Sequence, residues 1–143
     1  MSAFKISLLL AFVSIALCSG CKTASKPSKT PTMAQFTYVD AMSNQYHIGP
    51  DFLKYEPIKP ALSSSGMADG GEPKQVALEA TVFSDLSQWF EKLILDQSMQ
   101  LASRNMGCGT VIDLRKKPST TYFISPKSNH RTELEQMLRD LLK

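Results

Sequence analysis

No stretch of this 143-residue chain is both apolar and long enough to cross a bilayer as a helix, which takes about 20 such residues. Three cysteines and two histidines leave little for a clustered metal site. Acidic residues are missing from the whole N-terminal quarter: none precedes Asp40, whereas Lys5, Lys22, Lys26 and Lys29 all lie before Phe36. Of 16 Lys and Arg, 12 therefore face 13 Asp and Glu in 36–143, a net of −1. The formal charge of +3 belongs to the N-terminus, so the chain lacks the basic stripe of a nucleic-acid binder. No repeat of solenoid length is present. With 43% hydrophobic and 20% charged residues, the composition is that of a folded protein.

What the N-terminus does have is an address. Lys5 and the terminal amine precede a mostly apolar run from Ile6 to Leu17, the length of a signal-peptide h-region. The run ends in Leu17-Cys18-Ser19-Gly20-Cys21. This resembles the lipobox of bacterial lipoproteins, in which an aliphatic residue and small residues precede a cysteine that receives a diacylglyceryl group before cleavage. Ser19 and Gly20 match the small positions and Cys21 the acceptor; Cys18 stands where the family usually has Leu, which is one step earlier at Leu17.

The resemblance implies a signal peptide over 1–20, lipidation (palmitate included) at Cys21 and a membrane anchor. Lys22 after the acceptor, where Asp would mark the inner membrane of enterobacterial lipoproteins, favours the outer membrane, with the domain facing the periplasm. Residues 22–35 hold two prolines and almost no large apolar group, so they read as a tether, about 50 Å at full stretch and about 20 Å as a coil. Cys108 is then left alone, most simply as a small buried apolar residue. Without lipidation, a Cys21–Cys108 disulfide is the alternative.

Residues 36–143 form the globular part. Strand-forming runs at 36–39, 45–48, 52–56 and 74–79 are separated by turn signals, Gly49-Pro50-Asp51 among them. Val82, Phe83, Leu86, Trp89, Phe90, Leu93 and Ile94 recur at helical spacing, with Thr81 or Ser84 as cap. The segment 98–103 is open between a strand and continued helix. Strands at 110–114 and 121–124 follow. A last helix, capped by Ser128, carries a stripe of Leu134, Met137, Leu138, Leu141 and Leu142 and a surface pair Glu135/Arg139. The order predicts an α+β fold: a small, mainly antiparallel sheet with two amphipathic helices packed on one face.

The chemistry on offer is thin. Ser63, Ser64, Ser65, Gly66, Asp69, Gly70 and Gly71 form the most turn-rich loop and the candidate partner or ligand site. It leads into a strand and lacks the Lys-Ser/Thr ending of a phosphate loop. A hydrolytic triad from Ser63, Ser64 or Ser65, His47 or His130, and Asp69 has no nucleophile motif around it. Asp69 and Glu72 supply only two carboxylates, so neither a metal nor another cofactor is expected. The Arg115-Lys116-Lys117 run reads as a solvated hairpin tip, with membrane or peptidoglycan contact as the alternative. The expectation is a non-catalytic envelope lipoprotein that binds or assembles an envelope protein. A soluble periplasmic or secreted binding or inhibitory domain and an envelope hydrolase are the other readings.

Overall fold

Phe-Thr-Tyr-Val at 36–39 alternates large and small side chains, and this strand sits in the middle of the sheet. The computed structural model describes residues 32–63, Gly66 and 70–143. The expected signal segment, Cys21, the tether through residue 31, Ser64, Ser65 and Asp69 lie outside the described residues. The elements are β1 (Phe36–Val39), β2 (Gln45–Gly49), β3 (Phe52–Glu56), β4 (Lys74–Ala77), α1 (Ala80–Leu95), β5 (Gln100–Leu101), β6 (Gly109–Asp113), β7 (Thr120–Ile124) and α2 (Asn129–Leu141). The strands form one sheet in the order β4-β3-β2-β1-β6-β7-β5, every neighbouring pair antiparallel.

The α+β class and the order of elements match the sequence reading. The sheet, at seven strands, is larger than the small one expected. The reason is that β1, after its hairpin with β2, also accepts β6, which joins two separate sets of strands. The open segment at 98–103 resolves into a 3-10 turn, Gln97–Met99, and the two-residue edge strand β5. The helix stops because the Gln100 amide donates to the carbonyls of Leu93 (3.3 Å) and Ile94 (2.7 Å), filling two acceptors that a continuing helix would have used. At its other end α1 begins at Ala80, with Glu79 at the cap and no side-chain cap bond. Thr81 and Ser84 therefore lie inside the helix rather than capping it. Ser128 does cap α2, accepting from the Arg131 N–H at 3.3 Å.

Period-2 alternation divides the strands into two faces. Phe36 and Tyr38 share one of them with Ile48, Tyr46, Leu53 and Val111. All six are buried, in one apolar cluster with Leu86, Phe90 and Leu93 of α1 and Leu134 and Leu138 of α2. Phe36 stacks on Phe90 at 4.5 Å between ring centroids. The Tyr38 hydroxyl donates to Glu135 of α2 at 2.5 Å, and Arg131 Nε donates to the same oxygen at 2.8 Å. Glu135 is thus spent mainly inward; Arg139, its expected surface partner, stands 3.9 Å away. Burial, foremost, and the Glu135 carboxylate push the Tyr38 phenol well above its ordinary value, so it stays a donor. Arg131 also donates to the Gly107 carbonyl, and a Cβ on Gly109 would run into the Tyr38 hydroxyl.

The register also separates the two ends of the sheet. The chain enters at Phe36, paired with Ile48 and Asp113, and leaves β1 at Val39, paired with Gln45 and Thr110. The entry end therefore holds residues 32–35, the Pro50-Asp51 turn and the 114–119 turn. The far end holds 40–44, 57–63, 70–73 and 102–108. At the entry end, fully buried Asp113 accepts from Arg115 Nε (3.0 Å) and Nη2 (3.1 Å), while Arg115 Nη1 reaches Glu91 of α1 at 3.0 Å. The guanidinium also lies 4.3 Å from the centroid of the Phe36 ring.

The hydrogen bonds from Arg115 hold the Asp113 carboxyl below the ordinary aspartate value of 3.8. The pair's stabilisation is accordingly complete above that value and drains away as pH falls through the lower, folded one. Urea unfolding across an acid pH series should show Asp113→Asn less stable at neutral pH, by about 2 kcal/mol, with a flatter acid limb than the parent chain. A parallel acid limb would show that Asp113 is not what titrates.

Candidate functional site

The residues between β3 and β4 are held at the far end by two polar anchors. Asn44, 5% exposed, accepts the Ile58 N–H at 3.0 Å and donates to Asp40 at 2.9 Å. It therefore joins the β1–β2 turn to the start of the long loop. The Asp40 carboxylate also takes the N–H groups of Met42 and Asn44, and Ser43 adopts a positive φ of 68°. The second anchor is the Tyr55 hydroxyl, which donates to the Gly70 carbonyl at 2.5 Å. Gly70 is needed for space: a Cβ there would meet Asn44 Oδ1, Pro57 and the Tyr55 hydroxyl. Gly66 and Gly71 supply the left-handed turns, with φ of 69° and 80°.

Seated in this way, the loop walls a groove of about 1010 Å³. Its floor is the sheet face opposite Phe36 and Tyr38, through Val39, Gln45, Glu56, Lys54 and Ile112. Ile58, Pro60 and Leu62 form the wall, and Arg104, which donates to Ser43 Oγ at 3.0 Å, approaches from the 102–108 segment. Leu62 and neighbouring Met42 are 74% and 68% exposed. Lys54 Nζ lies 2.5 Å from Glu56, and that bond chiefly holds the Glu56 carboxyl below its usual range. The two neutralise each other at the groove floor, where an exposed pair contributes only about 0.5 kcal/mol. Lys59, Arg104 and Glu72 are the other charged lining groups. The groove thus combines an apolar wall with a polar floor whose charges are paired.

Of the residues expected to act, Ser63 ends the 3-10 turn Pro60–Leu62, its N–H donating to Lys59 and Pro60 carbonyls. Gly66 is exposed, Gly71 lines the groove, and Gly70 is a packing point beside it. Of the imagined triad, Ser64, Ser65 and Asp69 lie outside the described residues. The His47 ring meets Thr37 Oγ1 at 3.1 Å through Nδ1 and Glu56 at 3.7 Å through Nε2. His130 lies against Trp89, 5.8 Å between ring centroids, on α2. Among the described residues no three His, Cys, Asp or Glu side chains converge on a metal-sized site. Cys108 is a free, 2% exposed thiol. Asn44, Tyr55 and Arg104 escaped the sequence reading; the only local signal was Asp40 opening a turn four residues before Asn44.

No protein-family model, curated protein or solved structure matches the chain.

Replacing Asn44 by Ala strands the Ile58 N–H and loosens the loop. The expected cost is about 1–3 kcal/mol, with faster amide exchange at Ile58 and along the 57–62 segment than in β1. Unchanged exchange at Ile58 would mean that the loop is held in some other way.

Proposed function

We propose that this chain is a lipid-anchored lipoprotein of the bacterial envelope, acylated on Cys21 after removal of residues 1–20. Its α+β globule stands on a short tether at the periplasmic face of the outer membrane. In this reading both helices cover the Phe36–Tyr38 face, and the groove on the opposite face receives a segment of an envelope protein without catalysing a reaction. One observation carries the reading: the chain enters the sheet at one end, where Gln35 donates to Ile48, and the groove with Met42 and Leu62 opens at the other. A tether on the entry side leaves the groove free for a partner.

Two further features support it. Cys108 is a free, buried thiol that packs as a small apolar residue, which favours acylation of Cys21 over the bridged alternative. The His47 ring is engaged through both nitrogens by Thr37 and Glu56, which disfavours its use as a general base in the hydrolase reading. The exposed edge strand β4 gives a partner strand a second place to pair. Among the described residues no helix is long and apolar enough to cross a membrane, so in this reading the acyl chains are what anchor the chain.

Cells fed labelled palmitate should incorporate it into the parent chain and not into Cys21→Ala, which should leave the membrane fraction. A photo-crosslinking residue at Leu62 or Met42 should trap a discrete envelope protein, and one at Glu133 on α2 should not. Label on the Cys21→Ala chain would overturn the anchor; equal adducts from Glu133 would overturn the groove.

A further inference from the structure

The entry end of the sheet differs in character from the groove. Met33 and Leu114, 84% and 38% exposed, flank a shallow depression of about 570 Å³ rimmed by Arg115 and Lys117. Among the described residues no carboxylate lines it. Of the nearby acids, Asp51 accepts from Thr32 at 3.1 Å behind the rim, and Asp113 and Glu91 are held by Arg115. Arg115 is thereby tied to the fold, and the exposed cations of this turn are Lys116 and Lys117. Lys116 leans back only as far as the Tyr122 hydroxyl, 2.7 Å away across its own hairpin. Thr32, where the described chain starts, also lines the depression, and Lys22, Lys26 and Lys29 precede it in sequence with no intervening acid.

We propose that this end of the fold docks on an anionic phospholipid surface, with Lys116 and Lys117 against headgroup phosphates and Met33 and Leu114 at the apolar boundary. The charge complements such a surface, and the chain outside the described residues departs from the same place. Each lysine brought within a Debye length of an anionic leaflet strengthens binding by about fivefold. Exposed apolar side chains flanked by lysines seat at the same depth, since the lysine stem is apolar and its ammonium stays in water. A merely solvated turn needs neither the acid-free rim nor the two exposed apolar side chains beside it. The proposal deepens the anchored reading, because it assigns the orientation of the tethered globule.

The chain from residue 21 on, carrying Cys21→Ser and so no acyl group, is sedimented with phosphatidylcholine vesicles with and without phosphatidylglycerol. It should bind only the anionic vesicles and be released by salt. Lys116→Gln/Lys117→Gln should weaken binding by about 25-fold. Met33→Ser/Leu114→Ser should weaken it too, and Lys92→Gln/Lys127→Gln, exposed on α1 and in the turn after β7, should leave it unchanged. Full retention by the Lys116/Lys117 variant overturns the proposal, as does loss seen only with Lys22→Gln/Lys26→Gln/Lys29→Gln, or equal binding to both vesicles. Acylation is read separately, from the mass of the mature chain: an unacylated product would sink the anchor and leave the vesicle result to stand on its own.

Discussion

A phenol hydroxyl in the centre of the fold has to find a partner. Tyr38 lies on the middle strand, fully buried, and an unpaired hydroxyl there would cost about 1–3 kcal/mol. Glu135 accepts its proton, and Arg131 one turn earlier supplies the countercharge that lets a carboxylate sit so deep. Arg131 spends a second donor on the Gly107 carbonyl, so the approach to β6 is tied to the same group. The position of α2 over the sheet, the path of the 102–108 segment and the requirement for glycine at 109 all follow from one oxygen. Apolar packing alone would let α2 slide along its leucine stripe; this network gives it a single seat.

The same central strand separates the two ends of the molecule. Near Phe36 the structure is closed by an ion pair that joins β6 to α1 and places a guanidinium over an aromatic ring that is itself stacked on Phe90. Near Val39 it is opened by a loop held at Asn44 and Gly70. The first end ties its turn through a buried carboxylate and a multidentate guanidinium, whereas the loop at the second is seated by single hydrogen bonds at Asn44 and Tyr55 and close packing at Gly70. Binding surfaces commonly occupy such loops on a firm scaffold, because side chains there can adjust without disturbing the core.

Much of the fold was legible in the sequence. Alternation at 36–39, 45–48 and 52–56, the 3.6 period from Val82 to Ile94 and the Ser128 cap are local signals, and each element formed where its own residues asked for it. Contacts between distant residues were not legible. Nothing near Glu135 announces that it turns inward, since its i+4 relation to Arg139 is equally good on a solvated face. Nothing in Gly109–Asp113 says that this strand pairs with β1. The candidate loop was visible from its glycines and serines, but the groove draws on three segments far apart in sequence, and its keystone, Asn44, looks like an ordinary turn residue. The loop's glycines look alike in sequence and differ in role: Gly66 and Gly71 supply dihedral freedom, while Gly70 supplies room.

The placement of β1 has a mechanical consequence. It is the first strand of the fold and also the innermost, clasped on both flanks by antiparallel neighbours. Tension arriving through the residues before Phe36, opposed by a load at the other extremity, runs along the strand axis. The ladder bonds lie across that axis and share the strain simultaneously instead of tearing in succession. A globule hauled in this direction yields by shear, the stiffest mode available to a sheet, whereas pulling at β4 or β5 would peel a rim strand away bond by bond.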